Sequence, residues 1–310
     1  MKNFVSMAAL LALLAACGDG QPFDDVTDPD TGGGTDTDGE VPVNGVPAAV
    51  AGDMKAASYN ADTGTLLVQI SLDGDDVLQA YTAAGAVGVY DRFTQQDDPL
   101  DRAFTAFAGE STDGSVTAVV AMDGGQFNRY FGGITFTQDG YVAPDSGLAS
   151  YAGNYVGLLN FGPPVGNAPG GTPGEVIPYQ SLQVTGEVFL NADFTDNLVN
   201  GAIYNRSSDF GAMPSVALIV ADVGSNGAFE GIVEISDRDP LADAPGATVG
   251  TYAGTFGGTN AAGVAGGIFL DGDFLGDTFE NENEYGIFVL DQCVGGGVPT
   301  VCSSVEDVDE

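Results

Sequence analysis

The stretch SLQVTGEVFLNADF, residues 181–194, alternates apolar and polar side chains along almost its whole length. Such alternation predicts a β-strand with one face in a core and the other in solvent. Phe189 is the exception to the pattern. A strand of this length is long for a β-sandwich and typical of a barrel. The apolar face contains Leu182, Val184, Val188, Leu190, Ala192 and Phe194, and the polar face contains Ser181, Gln183, Thr185, Glu187, Asn191 and Asp193.

The sequence around this stretch contains further short alternating segments, and no stretch shows sustained helical periodicity. Asp-Gly and Asn-Gly pairs supply the positive φ that tight hairpins need, so an all-β fold is predicted. Eight strands close a small barrel that side chains can fill, which predicts an eight-stranded antiparallel β-barrel over residues 148–292. Its candidate strands are 150–161, 181–194, 197–206, 215–222, 228–236, 250–257, 262–271 and 284–291. The turn pairs are Asp73-Gly74, Asp113-Gly114, Asp123-Gly124, Asp139-Gly140, Asn226-Gly227 and Asp271-Gly272.

A second β-rich segment precedes the barrel, at residues 47–147. It offers six or seven more strands, among them TLLVQISL, DRAFTAFAG and SVTAVVAM. We predict either a separate, smaller β domain or a sheet packed beside the barrel, with a boundary near Asp145.

The chain begins with the features of an exported lipoprotein. A charged start, Met1-Lys2-Asn3, is followed by a mostly apolar run to Ala16, which is too short to span a bilayer. Leu14-Ala15-Ala16-Cys17 resembles the lipobox of bacterial lipoproteins, which implies a signal peptide at 1–16 and acyl chains such as palmitate on Cys17. The alternative is an ordinary secretory peptide with a chance cysteine. Gly18, rather than Asp, after the cysteine favours the outer membrane.

Residues 17–46 form a predicted acidic, flexible linker. They are rich in Asp and Gly and contain no basic residue, which is the composition of a disordered segment. The whole chain has 7 basic and 44 acidic residues and a net charge of −37. Such a charge repels nucleic acid and favours cationic partners, although it also suits a protein in a salty medium.

After Cys17 the chain contains two more cysteines, Cys293 and Cys302. An even pair in an oxidising compartment predicts a disulfide loop within a C-terminal acidic tail, residues 293–310. Two free, partly buried thiols are the alternative.

Catalytic and metal chemistry find little support in the residues. The absence of histidine excludes Ser-His-Asp and Cys-His nucleophiles, imidazole metal sites and histidine ligation of haem. Glu230 and Glu234 share a face of one candidate strand. A solvated strand face is a simpler interpretation of them than a catalytic carboxylate pair. TDTDGE (35–40) and LDGDF (270–274) look superficially like calcium loops, but the first lacks the acids that an EF-hand requires. We therefore predict no enzyme activity, no cofactor and no dedicated metal site.

Each of the few arginines in this acidic chain either forms ion pairs with acidic residues or marks a positively charged spot on the surface. We expect ion pairs. They are Arg92, Arg102, Arg129, Arg206 and Arg238.

A faint internal repeat, SYAGNYVG (150–157) and TYAGTFGG (251–258), introduces a family resemblance. TYAGTFGGTNAAGVAGGIFLDGDF (251–274) and GEVFLNADFTDNLVNGAIYNR (186–206) resemble the C-terminal barrel of transferrin-binding protein B and related Slam-dependent surface lipoproteins. The resemblance covers residues 150–292. It implies a barrel beside a handle-like β domain on a lipid-anchored tether, displayed on the cell surface and binding ligands through loops. No matching motif identifies the ligand-binding residues.

These observations predict a non-catalytic surface lipoprotein, held to the outer membrane by the lipid on Cys17, whose monomeric body binds a protein or small ligand. The Gly- and Pro-rich segment 161–178 is the longest barrel loop and the predicted contact surface. The alternative is a structural envelope or coat lipoprotein without a soluble ligand. An integral membrane barrel is disfavoured by acidic strand exteriors and the absence of Trp, and a hydrolase ranks last.

Overall fold

Almost all regular structure in the described residues is β-strand, so the predicted all-β class is confirmed. The computed structural model describes residues 45–310 except 167, 238, 243, 273, 276–280, 295–298, 305–307, 309 and 310. The predicted signal peptide, Cys17 and nearly all of the linker lie outside these residues. The described helices are α1 (Ala48–Ala51) and two 3₁₀ helices, Gly174–Val176 and Thr300–Ser304. Within the described part of the chain, no helix has the length and apolarity needed to cross a membrane.

The first half of the described chain forms an antiparallel sheet of seven strands. Each strand pairs with the next in sequence, because short turns can join antiparallel neighbours directly. The strands are β1 (Met54–Asn60), β2 (Thr65–Leu72), β3 (Asp75–Val87), β4 (Tyr90–Gln95), β5 (Phe104–Glu110), β6 (Val116–Asp123) and β7 (Gly132–Gln138).

The second half forms a closed antiparallel barrel of eight strands, which confirms the prediction. Closure comes from the pairing of β9 with both β8 and β10. The two-residue strand β11 (Gly211–Ala212) pairs with the end of β10 outside this ring. The barrel strands are β8 (Leu148–Leu159), β9 (Leu182–Asp193), β10 (Leu198–Ser208), β12 (Val216–Asp222), β13 (Ala228–Ile235), β14 (Thr248–Gly257), β15 (Gly263–Leu270) and β16 (Glu284–Asp291).

Apolar side chains fill the barrel interior. The alternation that predicts β9 holds, because Leu182, Val184, Val188 and Leu190 are all buried there. At the centre, the ring centroid of Phe256 lies 5.3 Å from the centroids of Tyr151, Phe194 and Phe229, a spacing typical of packed aromatic rings. The aromatic residues of the two repeats therefore share one core, and they occupy structural positions.

The seven-stranded sheet packs beside the barrel. Val156 and Ile287 on the barrel exterior are fully buried against Phe107 and Ile134 of the sheet, with Val50 of α1 in the same cluster. Of the two arrangements left open by the sequence, the structure thus has the packed sheet. Burial on both faces also explains why β5, β6 and β16 are mostly apolar and do not alternate with polar residues.

Two of the predicted Asp-Gly turns, at Gly124 and Gly272, lack the positive φ that was expected, whereas the turn at Gly74 has it. Asp73 and Gly74 have φ values of 56° and 95° and form a tight hairpin turn between β2 and β3. Gly124, in contrast, lacks a positive φ, and a Cβ there would lie 2.0 Å from the Gln180 oxygen. Gly272 also lacks a positive φ, and a Cβ would lie 3.0 Å from Val249 Cα. At these two positions glycine allows a close approach of the backbone and does not make a hairpin turn.

Candidate functional site

The loop 161–178, predicted as the contact surface, closes on itself at its base. The amide of Val165 donates to the Pro178 oxygen at 3.0 Å, and the amide of Gln180 donates to the Pro163 oxygen at 3.0 Å. Val165 is buried, whereas most other described residues of the loop are exposed or half-buried. The base therefore holds the loop in place and leaves most of its other described residues accessible.

The end of this loop pairs with the connection between β6 and β7. The amide of Gly124 donates to the Tyr179 oxygen at 3.0 Å, and the amide of Tyr179 donates to the Gly125 oxygen at 2.9 Å. The side chain of Gln126 adds a bond of 2.7 Å to the Val176 oxygen. A barrel loop and a loop of the seven-stranded sheet thereby form one surface. No sequence pattern predicted this contact.

A two-residue turn in a left-handed conformation stands next to this contact. Gln126 and Arg129 exchange backbone hydrogen bonds of 2.8 and 3.1 Å, and Phe127 and Asn128 between them have φ values of 55° and 59°. Asn tolerates this conformation, but a bulky residue such as Phe does so at a cost of about 1–2 kcal/mol. Phe127 recovers little of this by burial, because 58% of it is exposed. Strain of this kind concentrates at functional sites.

The Arg102 side chain holds both ends of this turn through hydrogen bonds to its backbone. Its guanidinium lies 2.5 Å from the Asp123 carboxylate and donates to the Arg129 oxygen at 2.9 Å and the Gln126 oxygen at 3.3 Å. It also lies 4.5 Å above the centre of the Phe131 ring. Burial raises the pKa of Asp123, while the amide of Phe131 and the Arg102 guanidinium oppose the rise. These contacts fix the position of the turn.

Arg129 places a second cation over the same ring. Its guanidinium carbon lies 5.3 Å from the centre of the Phe131 ring, and it forms an ion pair with Asp73. The Arg129 side chain is 60% exposed. We call Phe127, Asn128, Arg129, Tyr179 and the loop 161–178 the hairpin surface. It combines exposed aromatic and arginine side chains, the types enriched at sites that dominate binding energy.

The other arginines have different environments. Arg206 forms a fully buried ion pair with Glu284 inside the barrel, with 2.6 Å between the charged atoms. The Nε atom of Arg92 is buried without a hydrogen-bond partner among the described residues. Arg238 lies outside the described residues. The expected pairing with acids is therefore found for Arg102, Arg129 and Arg206.

A cleft of about 520 Å³ opens beside the hairpin surface. The loop after β8 forms one wall, and residues of β3, β4 and β5 form most of the other. This volume lies within the range of small-molecule sites. Its polar lining consists mainly of hydroxyl and amide groups, from Thr82, Thr94, Thr105, Gln95, Gln96 and Gln180.

The remaining sequence candidates are not brought together into a site. Glu230 is exposed and Glu234 half-buried on the outer face of β13. Of the two oxygen-rich segments, 35–40 lies outside the described residues. In the other, 270–274, the amide of Asp271 donates a hydrogen bond of 3.0 Å to the Val249 oxygen. No group of three His, Cys, Asp or Glu side chains in the described ranges is arranged to hold a metal ion.

Cys293 and Cys302 form a disulfide, with their Cα atoms 5.8 Å apart. The amide of Cys293 donates to the Ser150 oxygen at 2.8 Å, and the Ser150 hydroxyl donates to the Cys302 oxygen at 3.2 Å. Both cysteines are thus attached to β8.

Comparison with known proteins finds similarity in solved structures. No protein-family model matches the chain, and no curated protein sequence matches it. A transferrin binding protein B from Haemophilus parasuis Hp5, solved as a double mutant, is 13% identical with a TM-score of 0.43, covering 77% of this chain and 44% of that one. The same protein from serogroup B Neisseria meningitidis is 12% identical with a TM-score of 0.35, covering 78% of this chain and 52% of that one. A structure described as a surface lipoprotein is 16% identical with a TM-score of 0.35, covering 79% of this chain and 99% of that one.

The family named from residues 150–292 is therefore among the structures that this chain resembles. The chain spans about half the length of the two transferrin binding proteins.

Proposed function

We propose that this chain is a surface lipoprotein, anchored to the outer membrane through Cys17, that captures a protein partner through the hairpin surface. The observation that carries the proposal is Phe127, an exposed aromatic residue in a left-handed conformation. A polar or glycine residue would suit this turn better if the turn were only a connection. An aromatic residue is favoured there if its ring enters a pocket of a partner.

The surroundings of Phe127 fit such a contact. Tyr179 lies opposite Gly125 and presents a second exposed ring, and Arg129 adds a cation beside them. Arg102 holds the turn before any partner arrives, so little conformational entropy is lost on binding. A net charge of −37 attracts a partner of positive net charge over long range. The partner chemistry is then a basic protein with an apolar pocket.

Anchoring is tested by protease accessibility of a tagged protein on intact cells. We expect digestion on intact cells, because the lipid on Cys17 would hold the body outside, and we expect Cys17→Ala to abolish this surface exposure. Lysed cells provide the control for intrinsic protease sensitivity. Protection of the wild-type protein until lysis would reject surface display and favour the structural envelope alternative.

Capture is tested with Phe127→Gly. Glycine relieves about 1–2 kcal/mol of left-handed strain and adds about 0.5–1 kcal/mol of backbone entropy cost. We therefore expect the free energy of unfolding in urea to rise by roughly 0.5–1 kcal/mol. Affinity for the partner, isolated on the wild-type protein and then titrated, should fall at least about tenfold, because buried aromatic anchors carry much of the binding energy.

Leu148→Gly is the control, because Leu148 is 46% exposed and begins β8, at the opposite end of that strand from the loop 161–178. We expect it to leave the affinity unchanged. Equal capture by the Phe127→Gly and wild-type proteins would exclude the hairpin surface as the contact. A loss of stability in Phe127→Gly would instead assign Phe127 a structural role.

A further inference from the structure

Three threonines form a row across the wall of the cleft. Thr82 on β3 is in register with Thr94 on β4, and Thr94 is in register with Thr105 on β5. Residues in register point to the same face of a sheet, and neighbouring strands lie about 4.8 Å apart. The row therefore extends about 10 Å along the cleft. All three residues line it, and exposure falls from Thr82 at the rim to the buried Thr105.

The polar groups of this wall are not used inside the protein. The hydroxyls of the three threonines and the side-chain amides of Gln95 and Gln180 make no hydrogen bond to any other residue that the structure describes. Buried polar groups normally have a partner, since leaving them unpaired is costly. These groups line an open cleft, where water or a ligand can satisfy them.

The charge of the cleft limits the ligand further. Asp97 is the one ionisable side chain in the lining, and no lysine or arginine contributes to it. An anionic ligand would find no cation there and would meet the field of a chain with net charge −37. A single carboxylate is too small a donor set for a hard metal ion. Hydroxyl and amide groups both donate and accept hydrogen bonds, which matches an uncharged ligand with many hydroxyls.

Apolar surface lies among these polar groups. Ala103 belongs to the sheet wall, on the same face as Thr105, and Val165 belongs to the loop wall opposite. Small-molecule sites combine such apolar surface with a few orienting polar groups. A sugar ring has apolar C–H faces and a polar rim, so both kinds of lining would be used.

We propose that this cleft binds a short, uncharged oligosaccharide. The threonine row and Gln180 contact its hydroxyls, and Asp97 accepts hydrogen bonds from a pair of hydroxyls at the mouth. This ligand goes beyond the protein partner of the hairpin surface, and the polar side chains that would bind it lie outside that surface.

The test uses the full mature protein on an array that carries neutral oligosaccharides and their sialylated counterparts, followed by titration of the best neutral binder. We expect neutral sugars to bind and their sialylated counterparts not to bind. The double variant Thr94→Val and Thr105→Val keeps the shape and strand preference of both residues but removes two hydroxyls, and affinity should fall at least about tenfold. Thr137→Val, on an exposed position of β7 outside the cleft, is the matched control and should bind as the wild type does.

The absence of any neutral ligand on the array would overturn the proposal, and so would unchanged affinity in the double variant. The Phe127→Gly variant should still bind sugar. If this variant lost sugar binding, the assignment of the sugar site to the cleft would be contradicted. The chain could capture a protein in a way that depends on Phe127 and yet bind no sugar. That result would leave the proposed function intact and reject this inference alone.

Discussion

Replacing Arg206 with methionine is expected to lower the free energy of unfolding by about 3–5 kcal/mol, the cost typical of breaking a buried ion pair on one side. Both charged side chains of the Arg206–Glu284 pair are fully shielded from solvent. They come from β10 and β16, on different parts of the barrel wall. Methionine fills much of the space but leaves the Glu284 carboxylate without its cation in the barrel interior.

The rest of the network explains why Glu284 cannot easily relax. The Tyr155 hydroxyl donates to Glu284 at 2.6 Å, and Arg206 also donates to the Pro214 oxygen at 2.7 Å. Space around these groups is tight, because a Cβ at Gly157 would lie 2.8 Å from both Glu284 Oε1 and the Tyr155 hydroxyl. The carboxylate therefore has no room to turn toward solvent after the cation is removed.

The control is the double variant Arg206→Met and Glu284→Leu, compared with Arg206→Met and the wild type by urea unfolding. Removing both charges replaces the pair with apolar groups, which is often close to neutral or stabilising. We expect the double variant to recover most of the lost stability. A double variant as unstable as the single one would show that the damage comes from packing and not from the unpaired charge.

The barrel could be predicted from the sequence because its signal is local. Strands such as β9 and β13 carry their own period-two alternation, so their bounds are predicted to within a residue or two. The seven-stranded sheet was harder to place, because the alternation weakens where both faces are buried, as in β6. Whether that sheet stood apart from the barrel or packed on it depended on contacts that no single segment encodes.

The candidate site could be predicted only in part. The loop 161–178 stands out by its length and composition, but its partner, the connection after Asp123, looked like an ordinary Asp-Gly hairpin turn. The close approach of Gly124 to Gln180 joins segments far apart in the chain. The threonine row depends in the same way on the register of three strands. An unusual residue in a turn, Phe127 beside Asn128, was the one local signal that could have marked the hairpin surface.

The Tyr90 side chain of β4 reaches into the barrel wall between β8 and β16, at the point where the pairing of these two strands is interrupted. The β8–β16 pairing runs from Glu284 and Leu159 to Phe288 and Tyr155, and the next backbone groups do not bond each other. Instead the Tyr90 hydroxyl accepts from the Val289 amide at 3.0 Å and donates to the Asn154 oxygen at 2.6 Å. Burial raises the pKa of Tyr90, opposed by the amide of Val289, so the hydroxyl stays protonated.

Tyr90→Phe is expected to lower the free energy of unfolding by about 1–3 kcal/mol for each buried group left without a partner. Tyr90→Ala should cost more, because loss of the ring adds a cavity worth about 3–5 kcal/mol. Both values are measured by urea unfolding against the wild type. Tyr59→Phe is the matched control, since Tyr59 lies in the same sheet and its hydroxyl donates to Asp91 at 2.8 Å in a partly buried position. It should cost about 1.5 kcal/mol, the low end for a hydrogen bond to a charged group, because the pair is only partly buried.

The comparison of Tyr90→Phe with Tyr59→Phe also tests how firmly the sheet determines the shape of the barrel. If the two barrel strands could close over the missing hydroxyl, the Val289 amide would bond directly to the Asn154 oxygen and both variants would lose similar stability. Closure requires the strands to move together past the Tyr90 ring, which remains in the phenylalanine variant and is fully buried in the wild type. Since packed interiors yield little to such movement, we expect the larger loss at Tyr90, which would make the seven-stranded sheet part of the barrel wall.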